Sequence, residues 1–205
     1  LIKIDIYALC ICLTIFFAQL SYANNLEVDS FTNSSSCVAK LKNKVYPCVL
    51  GKNGTKKDKK EGDGATPLGE FLFRRVYFRE DRIGNKLNNL KIPIQKLKKD
   101  DGWCDDISST FYNKYIKLPF EGSHENLWRT DSLYDIIVVI GHNDNPVVKE
   151  KGSAIFLHIK STETKYTAGC IAFSEKDLIE ILNNILKPCS KQVLSISMLR
   201  SEEHT

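Results

Sequence analysis

No Cys-x-x-Cys pair occurs in the chain although it holds seven cysteines, and that lack argues against a zinc ribbon and a thioredoxin-like motif alike. Dense basic patterning is missing too. The net charge is only +4, far from the footprint of a dedicated DNA or RNA binder. There is no internal repeat, and no apolar run reaches the roughly 20 residues that a bilayer-spanning helix requires. What is present is 205 residues, 42% hydrophobic and 26% charged. That composition excludes a disordered tail and a polytopic membrane protein, and leaves room for one domain with its own core.

The longest apolar stretch, Ile6 to Ala18, follows Lys3 and precedes Ser21-Tyr22-Ala23. A basic start, a short apolar segment and a small-x-small site describe a secretory signal peptide over 1–23. At the other end, 200–205 (RSEEHT) reads as sequencing-adapter read-through and is set aside. Residues 24–36 are rich in Ser and Asn and are expected to be a polar lead-in, with the domain itself over 37–199.

Within the domain, Val38 to Leu41 and Val45 to Leu50 flank Asn43 as a hairpin, and a basic, Gly-rich loop runs from Gly51 to Gly64. Phe71 to Phe78, Asp135 to Ile140, Ala154 to Ile159, Ile171 to Phe173 and Val193 to Ile196 are further strand candidates. Asp100 to Arg129 reads as a long loop loaded with aromatic and charged residues, a composition that points to function. Ser174-Glu175-Lys176-Asp177 has the form of a capping box. Leu178, Ile181, Leu182 and Ile185 behind it make the apolar stripe of a helix that ends before Pro188. The expected class is mainly β (mixed α+β): a sandwich or flattened barrel of antiparallel strands with one helix.

Candidate chemistry concentrates in His158 to Ile171 (HIKSTETKYTAGCI). A thiol nucleophile needs a base within hydrogen-bond reach and backbone N–H groups that can face an oxyanion. Cys170 offers the thiol and His158 the base. Gly169, lacking Cβ, lets substrate approach closely, so Gly169 and Cys170 are the expected oxyanion residues. His124, His142 and His158 with Cys104 match no local zinc-ligand spacing. Trp103 and Trp128 read as packing anchors more than as a sugar platform. Lys56 to Lys60 (KKDKK) reads as a solvated run, and Asp105-Asp106 is open to two readings, a substrate amine partner or a solvated face.

Thr167-Ala168-Gly169-Cys170-Ile171 with His158 upstream resembles the catalytic signature of the L,D-transpeptidases, the YkuD domain of bacterial wall enzymes. The resemblance continues through Lys60 to Gly69, Asp101 to Asp106, Ser123 to Trp128, Gly141 to Asp144 and Gly152 to His158. It covers roughly 38–197 and is similar to the branch common in proteobacteria. Ala168 and Ala172 stand where the best-studied members carry His and Arg.

That resemblance implies an acyl transfer. Cys170 would form a thioester at the L-centre of the diamino acid of a peptidoglycan stem peptide, with His158 as general acid and base. An amine would resolve the thioester into a cross-link; water would give a carboxypeptidase or amidase instead, and a third reading is a non-catalytic envelope-binding domain. It implies no metal and no organic cofactor. The low net charge argues against a nucleic-acid partner, and the 1–23 segment implies export to the periplasm with no lasting membrane insertion after its cleavage. Substrate contacts are expected from Tyr166 and Thr167 beside the nucleophile, from Trp103, Asp105 and Asp106, and from His124, His142 and Asn143. Export permits disulfides among Cys37, Cys48, Cys104 and Cys189. Cys48 and Cys104 lie in the segments most like the family, so that pair is the one expected.

Overall fold

The computed structural model describes residues 25–87, 90–185 and 193–198. The 1–23 leader, Cys189 and the 200–205 tail lie outside the described residues.

Alternation of apolar side chains builds the first strands. Leu26 and Val28 of β1 (Leu26–Ser30) are fully buried, as are Ala39 and its neighbours Cys37 and Leu41 of β2 (Ser36–Leu41), the period of two that turns one face of a strand to the core. β3 (Lys44–Val49) returns antiparallel through a turn at Lys42-Asn43, where Lys42 takes a φ of 55°. β1 thus occupies the stretch expected to be a polar lead-in. Its apolar signal was diluted by Asp29 and Ser30. Both are buried in hydrogen bonds, Asp29 accepting from Lys40 Nζ (2.7 Å) and Ser30 Oγ donating to the Ser197 carbonyl (2.9 Å).

β4 (Thr55–Lys56) and β5 (Thr66–Pro67) pair across the Gly-rich loop, and β6 (Gly69–Phe78) follows. A short helix α1 (Glu80–Ile83) leads to β7 (Ile94–Lys96). After a separate sheet described below come β11 (Ile136–Ile140), β12 (Phe156–Ile159), β13 (Ile171–Phe173), helix α2 (Glu175–Ile185) and β14 (Val193–Met198). In the main sheet β6, β14, β1, β2, β3, β13, β12 and β11 are hydrogen-bonded in that order. β11 then pairs back to β6, so the sheet closes as a barrel. The mainly β class stands. Two details differ from expectation: β1–β14, β6–β7 and β12–β13 are parallel pairs, and α1 is a second, one-turn helix.

α2 begins where expected. Ser174 Oγ accepts the Asp177 N–H (3.1 Å), satisfying one orphan donor of the first turn. Its stripe of Leu178, Ile181, Leu182 and Ile185 is fully buried in the barrel core, each side chain contributing about 2 kcal/mol by leaving water.

The stretch from 100 to 129 is not a loop. β8 (Asp101–Cys104), β9 (Lys114–Lys117) and β10 (His124–Asn126) form a three-stranded antiparallel sheet. Strand propensity missed β8 because Asp-Gly-Trp-Cys carries no β-branched residue. Polar bonds hold it instead: fully buried Asp101 accepts from the Tyr115 hydroxyl and from Lys117 Nζ.

The disulfide expectation is overturned. Cys37 pairs with Cys48, and Cys104 is buried and free. The two bonded residues face each other directly across the β2–β3 hairpin with Cα atoms 4.9 Å apart, inside the span a disulfide bridges. Cys104 sits in the other sheet, opposite His124.

Candidate active site

Cys170 sits at the entrance to β13, and β13 runs parallel to β12 with Leu157 opposite Ile171 and His158 opposite Ala172. Residues two apart on a strand share a face, so Cys170 and Ala172 turn the same way, as do Phe156 and His158. This register carries the thiol and the imidazole into one cleft of about 740 Å³.

The loop before the thiol is fastened on both sides. Thr167 N–H donates to the Leu50 carbonyl (2.8 Å) and Lys52 N–H to the Thr167 carbonyl (3.0 Å). Thr167 Oγ1 donates to the Cys170 carbonyl (2.7 Å) and accepts the Gly169 N–H (3.1 Å). Thr66 Oγ1 donates to the same Cys170 carbonyl (3.4 Å). Gly169 has a φ of +146°, and a Cβ there would lie 2.9 Å from the Ala65 carbonyl oxygen, so the position admits only glycine. The Gly169 amide, expected to face an oxyanion, is therefore committed to Thr167 at rest.

The thiol donates to the Ala154 carbonyl (3.2 Å) and accepts the Phe156 N–H (3.4 Å). Burial pushes its pKa up to about 12, the Glu125 charge adds to that, and the Phe156 N–H and Lys59 work against it. His158 Nδ1 lies 2.8 Å from the Ile159 carbonyl. A carbonyl only accepts, so Nδ1 carries the proton and Nε2 keeps its lone pair. Burial draws this imidazole down to about 4. The resting pair is thus a neutral thiol and a neutral imidazole with no hydrogen bond between them, in place of a preformed thiolate–imidazolium pair. The edge of Tyr134 packs on the His158 ring (centroids 5.4 Å apart).

Residues 35–193 match the L,D-transpeptidase catalytic domain (YkuD). The chain belongs to the L,D-transpeptidase family. No curated protein matches it.

In this transpeptidase domain the expected site residues divide into two groups. Tyr166, Thr167, Asp105 and His124 line the catalytic cleft with His158, Gly169 and Cys170. Trp103, Asp106, His142 and Asn143 do not. Trp103 is buried, donating Nε1–H to Asn113 Oδ1 (3.0 Å) and packing edge-on against Phe156. Trp128 is covered by the Arg79 guanidinium, 3.6 Å from its ring. Both tryptophans are packing anchors. Asp106 Oδ1 accepts the N–H and the hydroxyl of Ser108, which ties a turn. His142 Nε2 donates to the Lys151 carbonyl (2.9 Å), and Asn143, at a φ of 49°, clamps the 143–152 loop through Val148 and Gly152. With His142 held there, the zinc grouping does not form; among the described residues no cluster of three His, Cys, Asp or Glu is placed to hold a metal.

Several cleft residues escaped sequence reasoning. Lys59 belongs to the run expected to face water, yet it is 5% exposed, donates to Asp63 Oδ1 (2.6 Å) and lines the cleft. Glu61 accepts from Tyr112 and from Ser153 Oγ (2.7 Å). Glu125 accepts the Tyr134 hydroxyl, and Arg129 lies over the Tyr134 ring at 5.3 Å. Beside them Asp105, already expected as a substrate contact, has its Oδ1 buried without a hydrogen-bond partner. Glu61 and Glu125 lie in family-like segments, and Lys59 and Arg129 just outside them; charge alone does not distinguish any of the four from a solvated face.

Proposed function

We propose that this L,D-transpeptidase-family chain is an exported cysteine acyltransferase that cross-links peptidoglycan stem peptides. The observation that carries the reading is the convergence of Cys170 and His158 on one cleft, with His158 Nε2 left as the free base. The cleft walls hold charge of both signs, Lys52, Lys59 and Arg129 against Glu61, Asp105 and Glu125. Such walls suit a stem peptide that carries carboxylates and an amine.

In the first half-reaction the Cys170 sulfur attacks the carbonyl of the diamino acid's L-centre as its proton passes to His158 Nε2. A proton transfer concerted with attack fits the neutral resting pair. His158 then gives the proton to the departing D-Ala amine, leaving a thioester on Cys170. In the second half-reaction the amine of another stem peptide attacks the thioester, His158 takes its proton, and the thiolate recovers a proton from the imidazolium. Neither step calls on a metal or cofactor. The basic, apolar and small-x-small segment over 1–23 supports export to the periplasm. Among the described residues no helix is long and apolar enough to cross a membrane.

Incubating the purified protein with disaccharide-tetrapeptides and weighing the products tests the reading. Cross-linked dimers with release of D-Ala are expected. Tripeptide monomers alone would replace transfer by hydrolysis, and intact substrate would leave only an envelope-binding domain.

A further inference from the structure

Lys59 is a buried cation in the cleft wall that the acyl transfer leaves without a task. Its ammonium carries three N–H donors. One goes to Asp63 Oδ1 and one to the Lys60 carbonyl, both at 2.6 Å, and no third acceptor is present among the described residues. Asp63 is itself fixed, accepting the Lys60 N–H on Oδ2 and the Ala65 N–H on Oδ1, each at 3.0 Å. The ion pair therefore sets where the positive charge sits. Two segments that touch the nucleophile bracket it. The Lys59 stem crosses Gly152, with Cγ 3.0 Å and Cε 3.3 Å from where a Cβ would lie, and two residues on, the Ala154 carbonyl accepts from the thiol. On the other flank Asp63 holds Ala65, whose carbonyl oxygen is the one that abuts Gly169. Lys52, from the same Gly-rich loop, lines the cleft as well, with its stem over Gly64. The loop's cleft-facing acid, Glu61, is taken up by Tyr112 and Ser153.

We infer that Lys59 is the receptor for the free carboxylate at the end of the stem peptide, giving it the third N–H, and so decides which peptide ends the cleft accepts. The inference rests on the acyl-transfer reading for which carbonyl is attacked, and extends it to how the departing residue is held. That residue's carboxylate lies one residue's length, about 3.8 Å, beyond the attacked carbonyl. It therefore comes to rest close to the thiol in every productive complex, where the bracketed ammonium waits.

A hydrogen bond between two charged groups is among the strong ones, and burial spares it the screening that weakens surface pairs. It anchors the scissile bond from the leaving-group side while His158 serves the nucleophile. An end whose carboxylate is blocked as an amide, or a chain that continues past this residue, offers no charge at that point and loses the anchor.

The test crosses a change in the protein with a change in the ligand. The full chain carrying Cys170→Ala, which binds without turning over, is titrated by calorimetry with a disaccharide-tetrapeptide and with the same molecule amidated at its terminal D-Ala carboxylate. Amidation is expected to weaken binding at least about tenfold. With Lys59→Met added, the two ligands should bind alike, because the group that told them apart is gone; a merely structural lysine would weaken both equally and leave their ratio untouched. Lys59→Gln, which keeps a donor for Asp63 and drops the charge, gives the same comparison if thermal melting shows the Met variant to be unfolded. Equal binding of the two ligands to Cys170→Ala, binding of neither, or an amide penalty that persists undiminished in the folded Lys59 variant would overturn the inference. Binding needs no chemistry, so a retained carboxylate preference in a protein whose parent never cross-links would remove the acyl-transfer reading and leave the subsite standing.

Discussion

Two apolar clusters divide this small domain, and they differ in kind. The larger lies inside the barrel and is mainly aliphatic, with Leu26, Val28, Val76, Ile136, Ile171 and the α2 stripe at its centre and a few rings such as Phe173 among them. The smaller lies between the barrel and the three-stranded sheet. It is aromatic and mixed with polar groups: Tyr77, Trp103, Tyr134 and Phe156 surround Cys170 itself. The first is a close-packed filling in which every atom is interchangeable in chemistry if not in shape. In the second, each ring has a neighbour it must present or hold, such as His158 for Tyr134 and Asn113 for Trp103. Strength and chemistry have thus been placed in separate cores that meet along β11, β12 and β13.

Substitutions on either side should separate those two properties. Cys170→Ala is expected to lower cross-linking at least about a thousandfold, since no other group supplies the nucleophile. Its melting temperature should stay within a few degrees of the parent, measured by calorimetry. Phe173→Ala, three residues away but fully buried on the barrel side, should do the reverse. It should cost about 3–5 kcal/mol in denaturant titration while any molecules still folded turn over normally. A Cys170→Ala protein that melts as early as Phe173→Ala would show the division to be false.

Opening the hairpin comes next in size. Replacing Cys37 and Cys48 by Ser frees a loop of 11 residues' separation, for an expected loss of about 3 kcal/mol in stability.

The smallest effect is one of pH. His158 titrates near 4 in the folded protein and near 6.5 in an unfolded chain. The unfolded state therefore binds more protons between those values, and stability contributed by the neutral ring is whole above about 6.5 and is lost as pH falls towards 4. Melting temperatures recorded from pH 7 to pH 4 should decline, and His158→Asn should flatten that part of the decline. The base stays neutral across the same window, so the acid limb of turnover should lie below pH 6.

The aliphatic core was largely legible from residue order. The hairpin about Asn43, the strands at 71–78, 136–140 and 156–159 and the capped α2 all follow from periodicity and turn chemistry. The aromatic core was not. β8 has Trp103 as its one strand former and is held by Asp101, and β1 hides two apolar residues among buried polar ones. At the site, type and spacing alone did not single out Cys170 and His158; the family-like segments around them did, and the chain brings both to one cleft, whereas Lys59 and Glu125 look like any surface charge until the chain places them inward. The misassigned disulfide has a similar cause. Sharing a family-like segment says nothing about proximity, while residues opposed across a tight hairpin are adjacent by construction.

That hairpin bond has a practical consequence. Val49, next to Cys48, is paired with Ala172, two residues beyond the nucleophile. A reducing agent chosen to protect one sulfur will, at sufficient strength, unfasten the two that brace its supporting strand. Assay buffers for this protein therefore have a ceiling as well as a floor of thiol reductant, and an apparent inactivation at high dithiothreitol would report a loosened scaffold, with the reacting group itself unharmed.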